Sequence, residues 1–234
     1  MLKKMLTPPR LTVLEWVLWM TSMTVTTTLY FIYPAEDPLS LVAALFGFSC
    51  LIFIAKGAIL GQLLCVIFAT LYGIISLRVG YYGEMLTYVC MSAPVAVMAI
   101  VSWAKHPFQN TNEVAVRELR RRDLPRLLLI CIFVTIVFHF ILRWLGCANL
   151  TVSTLSVSTS FFAASLAFLR CPWFSLGYIA NDLVLIVLWS MMLPHDRSAL
   201  SMIACFSLFL LHDLYGLFSW LRMERRQRKI TAAT

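Results

Sequence analysis

Long apolar stretches alternate with short polar joints along the whole chain. Eight of them can be marked, each near the length at which a helix crosses the hydrocarbon core of a bilayer. They lie at 11–33, 39–55, 57–77, 83–104, 126–145, 152–169, 173–193 and 198–221. Their apolar residues are continuous rather than alternating, which favours helices over the strands of a barrel. The pattern therefore predicts an all-α polytopic membrane protein with about eight transmembrane helices.

Composition and charge placement agree with this interpretation. The 234 residues have a mean hydropathy of +0.84, and only 13% are charged, about half the share of a soluble domain. With eight crossings, all but Arg78, Arg143 and Arg197 of the 19 Lys and Arg residues fall on one side. Because Lys and Arg are enriched in cytoplasmic loops, we expect a multi-pass plasma-membrane protein with both termini in the cytoplasm. The net charge of +8 is then explained by orientation, and no nucleic-acid partner is expected.

Two parts of the chain resemble each other. Lys56 aligns with Arg170, and Ser-Trp-Ala-Lys at 102–105 aligns with Ser-Trp-Leu-Arg at 219–222. One helix separates the copies, so both have the same orientation and form a parallel repeat. The predicted organisation is an accessory helix, a first three-helix repeat, a loop with a linker helix, a second three-helix repeat and a basic tail, at 1–38, 39–105, 106–150, 151–221 and 222–234.

Strongly polar side chains lie at membrane depth, where each one costs a few kcal/mol. Asn181 and Asp182 sit at the centre of the seventh segment, about 13 Å from either end, too deep for a short side chain to reach water. His212, Asp213 and Tyr215 lie deep in the eighth segment. We expect the two carboxylates to face one cavity. The alternative is that these polar groups only hydrogen-bond helices together.

Aromatic residues accompany these groups. Aromatic rings beside carboxylates suit a flat cationic ring, which stacks and gains cation–π attraction. The first repeat adds fewer polar groups, and one of them, Glu84, has an alternative role at the positive end of its helix. The candidate substrate-binding residues are Asn181, Asp182, Trp189, His212, Asp213, Tyr215, Gln62, Glu84, Tyr88 and Tyr178. Pro94 is expected to kink its helix, and Trp103 and Trp220, each near a basic residue, to lie in the interfacial belt.

Motifs for other chemistries are missing from the sequence. It contains no phosphate-binding loop, no His-Glu-x-x-His zinc helix and no Gly-x-Ser-x-Gly nucleophile turn. The seven cysteines form no Cys-x-x-Cys pair and are interpreted as small apolar residues. We therefore expect no cofactor, no metal and no enzymatic activity.

An ordered set of short motifs over roughly 39–226 resembles the PnuC family of vitamin-precursor transporters. The motifs are Tyr-Gly-Ile-Ile-Ser at 72–76, the stretch 80–88, Pro94, Ser-Trp at 102–103, the stretch 155–161, Arg-Cys-Pro-Trp at 170–173, the stretch 178–182 and Asp-Leu-Tyr-Gly at 213–216. The resemblance implies a SWEET-like arrangement of three plus one plus three helices. It also implies facilitated diffusion of nicotinamide riboside, which is trapped after entry by phosphorylation in the cytoplasm.

The implied substrate suits the candidate residues, since nicotinamide riboside has a cationic pyridinium ring, hydroxyls and an amide. The site is expected between the two repeats at the membrane midplane, with one repeat rocking against the other. Some family members have Asn where this chain has Asp213 beside His212. Thiamine, riboflavin and deoxynucleosides therefore stay alternative substrates. Proton coupling and dependence on an ATPase partner stay alternative mechanisms, and a homo-oligomer in the bilayer is compatible with the sequence.

Overall fold

The protein folds into a bundle of long helices. The structure, a computed structural model, describes residues 7–32, 38–109, 111–147, 149–194, 197 and 199–233. Each long helix coincides within a few residues with a predicted apolar stretch, except that the last one continues beyond 221. The helices are α1 (Val13–Ile32), α2 (Pro38–Ala55), α3 (Ile59–Arg78), α4 (Tyr82–Lys105), α5 (Asp123–Trp144), α6 (Leu150–Phe168), α7 (Phe174–Met192) and α8 (Ala199–Ala233). The all-α prediction is confirmed.

Seven of the described helices, α2 to α8, are long and apolar enough to cross a membrane. Helix α1 has 20 residues but is less apolar, because it carries Glu15 and several threonines. Glu15 is buried against the rest of the bundle, and its carboxylate forms an ion pair with Lys56 at 2.9 Å. Helix α1 is therefore held to its neighbours partly by polar contacts.

Six helices close a ring. Following the chain, α2 packs on α3, α3 on α4, α4 on α6, α6 on α7, α7 on α8, and α8 returns to α2. Helix α1 lies outside the ring against α2 and α8, and α5 lies outside against α6. This order brings α2–α4 and α6–α8 together as two groups of three, with an outer helix preceding each group. It is consistent with the predicted three-plus-one-plus-three organisation.

Helix α4 changes its hydrogen-bonding pattern halfway along. Residues Thr87–Ser92 form a π-helical segment, directly before Pro94 in the following α-helical part. Proline has no N–H to donate to the carbonyl four residues earlier, so the α-helical pattern cannot run through this point. The expected disturbance at Pro94 is thus a π-helical segment, a feature frequent at functional sites.

One end of the bundle carries Lys56, Arg170 and the C-terminal part of α8, and is called the basic end. Here Trp103 and Trp220 are fully buried, with ring centroids 5.4 Å apart. The Trp103 indole N–H donates to the Ala167 carbonyl at 2.9 Å, and that of Trp220 donates to the Ile54 carbonyl at 2.8 Å. The predicted belt position is wrong for both, because each ring satisfies a carbonyl in the last turn of a neighbouring helix.

The serines before these tryptophans repeat the exchange. The Ser102 hydroxyl donates to the Phe168 carbonyl at 2.9 Å, and the Ser219 hydroxyl donates to the Ala55 carbonyl at 2.7 Å. Helix α4 thus donates one serine and one tryptophan hydrogen bond to the end of α6. Helix α8 donates the same two kinds of bond, from residues in the same order, to the end of α2. These reciprocal bonds are what a pseudo-two-fold axis between two parallel repeats would produce.

Candidate functional site

A cavity of about 60 Å³ lies inside the ring, and all six ring helices contribute to its wall. Its polar residues come mainly from α6, α7 and α8, whereas α2 and α3 supply apolar side chains and cysteines. The lining residues are Gly47, Cys50, Leu51, Ile54, Cys65, Phe68, Ala69, Tyr88, Ser92, Ser160, Tyr178, Asn181, Asp182, Phe209 and Asp213. Five of the ten predicted site residues belong to this wall: Asn181, Asp182, Asp213, Tyr88 and Tyr178.

Two carboxyl groups meet at the cavity. Asp182 of α7 is 4% exposed and Asp213 of α8 is 5% exposed, and their side chains are within hydrogen-bonding reach of each other. The Oδ2 atom of Asp182 has no hydrogen-bond partner among the described residues. Among the residues that the structure describes, the wall includes no Lys or Arg. A buried pair of carboxyl groups without a counter-ion among the described wall residues is suited to a cationic ligand.

Asn181 is held by a cradle of three hydroxyl groups on α6. Its Oδ1 accepts hydrogen bonds from Ser156 at 3.3 Å, Thr159 at 3.0 Å and Ser160 at 2.8 Å. With the oxygen occupied in this way, the amide N–H groups are the part of Asn181 that can serve a ligand in the cavity. These hydroxyl residues were not among the predicted site residues.

Aromatic rings form another part of the wall. Phe68 of α3, Tyr88 of the π-helical segment and Phe209 of α8 all line the cavity. The ring of Tyr88 also contacts Tyr72, with centroids 4.4 Å apart. A flat ligand entering this space would meet both aromatic rings and carboxyl groups.

Trp189 and Tyr215 lie away from the cavity wall. The Trp189 indole N–H donates to the Tyr72 hydroxyl at 3.1 Å and so connects α7 with α3. The Tyr215 hydroxyl donates to Glu15 of α1, the carboxylate that also pairs with Lys56. The structure thus places Trp189 in an aromatic cluster beyond the cavity and Tyr215 near the basic end.

His212, Glu84 and Gln62 are buried but do not line the cavity. The Nε2 atom of His212 is 3.0 Å from the Ser22 hydroxyl of α1. Neither carboxylate oxygen of Glu84 has a hydrogen-bond partner among the described residues. Glu84 lies in the first turn of α4, as the capping alternative requires, but no side-chain cap is formed there. The roles of these three residues in binding stay predictions.

A family model described as nicotinamide mononucleotide transporter matches residues 37–222. The chain belongs to this family of membrane transporters. The resemblance to PnuC proteins inferred from the motifs is confirmed by curated relatives. Over 201 residues the chain is 26% identical to a nicotinamide riboside transporter PnuC of Neisseria mucosa, covering 84% of this chain and 76% of the relative. It is 22% identical to a nicotinamide riboside transporter PnuC of Haemophilus influenzae, covering 90% and 91%.

The fold of this PnuC-family chain is that of a solved relative. A crystal structure of the vitamin B3 transporter PnuC superposes with a TM-score of 0.83 at 25% identity, covering 97% of each chain. The superposition includes nearly the whole bundle, so the outer helices α1 and α5 also have counterparts there.

Proposed function

We propose that this protein carries nicotinamide riboside across the plasma membrane by facilitated diffusion, through the cavity inside the helix ring. The observation that carries the proposal is the pair of contacting carboxyl groups, Asp182 and Asp213, in a wall without basic side chains. A pyridinium ring supplies the positive charge that such a site needs. The relatives named as nicotinamide riboside transporters support this choice of ligand.

The carboxyl pair also favours nicotinamide riboside over nicotinamide mononucleotide. The matching family model is named after the mononucleotide. The two ligands share the cationic ring, but the mononucleotide adds a phosphate. A phosphate next to Asp182 and Asp213 would meet like charge and find no Lys or Arg in the described wall. The riboside is therefore the better ligand.

Each wall component has a proposed role. One negative charge on the carboxyl pair offsets the positive charge of the pyridinium ring. The Asn181 amide donates a hydrogen bond to an oxygen of the ligand. Phe68, Tyr88 and Tyr178 provide flat surfaces against the ring. Trp189, Tyr215, His212, Glu84 and Gln62 would act on helix packing instead of touching the ligand.

Transport requires the ring of six helices to open. The cavity of about 60 Å³ is far smaller than the roughly 300–1,000 Å³ of typical small-molecule pockets. A ligand can therefore enter only if α2–α4 and α6–α8 move apart, first at one end and then at the other. We assign the basic end to the cytoplasm, because Lys and Arg are enriched on that side of membrane proteins.

Uptake into liposomes containing the purified chain tests the proposal. Radiolabelled nicotinamide riboside should equilibrate down its gradient without ATP and without a pH gradient, and chromatography should recover it unmodified. Nicotinamide mononucleotide should neither enter nor compete strongly. The matched control is a folded double variant, Asp182→Asn with Asp213→Asn. It should take up almost no riboside.

Other outcomes would favour the alternatives. Equal uptake of the mononucleotide would contradict the charge argument. Accumulation above equilibrium under an imposed pH gradient would indicate proton coupling, and uptake only after adding an ATPase would indicate a partner-dependent importer. Selective uptake of thiamine, riboflavin or a deoxynucleoside would replace the substrate but keep the transport mechanism.

A further inference from the structure

A short loop segment crosses the basic end between the two groups of three helices. This segment, residues 113–118, is called the strap. The Val114 N–H donates to the Gly57 carbonyl at 3.0 Å, and the Arg117 N–H donates to the Arg170 carbonyl at 3.1 Å. Gly57 and Arg170 occupy corresponding joints, between α2 and α3 and between α6 and α7, and both have positive φ angles, 65° and 61°. The strap therefore bonds to equivalent carbonyls in both halves of the helix ring. The structural counterpart of Arg170 is Gly57, one residue from the Lys56 with which the sequence aligned it.

The strap also packs into an apolar cluster that reaches the cavity wall. Cys50 and Ile54 line the cavity, and both belong to the apolar cluster that contains Trp103, Trp220 and Val114. Val114 of the strap is fully buried in that cluster. A ligand leaving the cavity towards the basic end would meet this cluster, and we expect Val114 to move when the cluster opens.

The C-terminal part of α8 holds the strap in place. The Gln227 side chain accepts a hydrogen bond from the Val116 N–H at 2.8 Å and donates one to the Val114 carbonyl at 3.0 Å. It is only 5% exposed. Ion pairs support the contact on either side of Gln227: Arg226 pairs with Glu113, and Arg228 pairs with Glu118. This explains why α8 continues as a helix well past its apolar stretch.

We propose that the strap and Gln227 form a latch on the cytoplasmic gate. The latch rests on the transport function proposed above, because it regulates the opening of that cavity. In the closed state Gln227 keeps the strap bonded to both halves of the ring. When the Gln227 contacts break, Val114 leaves the apolar cluster, the two joints separate and the cavity opens towards the cytoplasm. Gln227 acts through the strap and touches no ligand.

Alkylation of Cys50 measures this opening without any substrate. Cys50 lies at the cavity and is 3% exposed, so a maleimide reaches it only when the gate opens. The experiment uses the full chain with Cys50 as its single cysteine, in vesicles with the basic end facing outward, and a membrane-impermeant maleimide. Gln227→Leu removes both hydrogen bonds and should raise the labelling rate about tenfold. Gln227→Glu keeps the acceptor but not the donor, and should give a smaller increase.

Arg225→Gln is the control, since Arg225 is an exposed residue of the same helix segment. It should label at the parent rate. Thermal melting must show that each variant is folded, and Gln227→Glu carries the test if Gln227→Leu is not. Parent-rate labelling of a folded Gln227 variant would overturn the latch, whatever the substrate is. Accelerated labelling in a protein that transports no riboside would support the latch and contradict only the substrate.

Discussion

The contact between Asp182 and Asp213 predicts an uneven pattern of substitution effects. Two carboxyl groups side by side in a dry site resist simultaneous ionisation, so we expect them to share one proton and carry one negative charge when a cation is bound. Asparagine has nearly the shape of aspartic acid and donates the hydrogen bond that the shared proton supplied. Replacing either residue alone with Asn should therefore preserve both the charge and the contact.

The size of the effect follows from one charge pair. A pyridinium about 4 Å from a carboxylate gains about 4 kcal/mol at an effective dielectric constant near 20. Desolvation of both groups offsets part of this gain, so we expect a net contribution of about 2–3 kcal/mol, or roughly 30- to 150-fold in affinity. Asp182→Asn and Asp213→Asn should each weaken riboside binding by no more than about threefold, and the double variant by about 100-fold.

Calorimetric titration of the detergent-purified proteins gives the four dissociation constants of this double-mutant cycle. Melting curves of the ligand-free variants check that each is folded. The reasoning fails if either single variant binds as weakly as the double variant, which would make that residue the sole carrier of the charge. It also fails if the two single effects are both large and add, since both carboxylates would then be ionised in the bound state.

Packing and the amide cradle give three more predictions. Gly177→Ala should lower the melting temperature by an amount equivalent to about 1–3 kcal/mol, because the new Cβ would lie 2.8 Å from the backbone of α6. Gly216→Ala, whose Cβ meets nothing closer than 3.4 Å, should be neutral in the same assay. Trp103→Phe and Trp220→Phe should cost similar amounts in chemical denaturation, about 1–3 kcal/mol each, since each loses one equivalent indole hydrogen bond and leaves a gap in a fully buried site. Ser160→Ala removes a hydroxyl that holds Asn181 and should weaken riboside binding several-fold in titrations. Ser160→Thr keeps the hydroxyl and should bind the riboside as the parent protein does.

The helices were predictable because continuous apolar runs have one stable solution in lipid. The end of α8 was not predicted, because residues 222–233 are polar and the apolar pattern that marks a membrane helix ends before them, although many of them are good helix formers. Their helix is stabilised by the strap, through Gln227 and its neighbours. Such a contact joins positions more than 100 residues apart, and the hydrophobic pattern of one segment contains no information about it.

The carboxyl pair was predictable from the free energy of burying an ionisable side chain in a membrane, since an Asp at that depth needs a partner or a ligand. The aromatic partners required orientation as well. Tyr215 is two residues from Asp213, which is about 200° around a helix, and so it faces away from the cavity towards α1. Trp189 is seven residues from Asp182, on the same face but about 10 Å further along the axis. The Ser160 cradle had a sequence signal that was missed, three serines at 153, 156 and 160 on one helical face.

The ring is symmetric in its hydrogen bonds at the basic end but asymmetric in its cavity. Both carboxyl groups belong to α7 and α8, whereas the corresponding helices α3 and α4 bring Phe68 and Tyr88. If the two groups of three helices rock as units, both carboxyl groups move with the second group, together with Tyr178 and Phe209, whereas Phe68 and Tyr88 move with the first. A cationic ligand would then stay with α6–α8 while α2–α4 moves past it. Replacing the aromatic ring of Phe68 should therefore change the rate of transport more than the affinity of the closed state for the ligand.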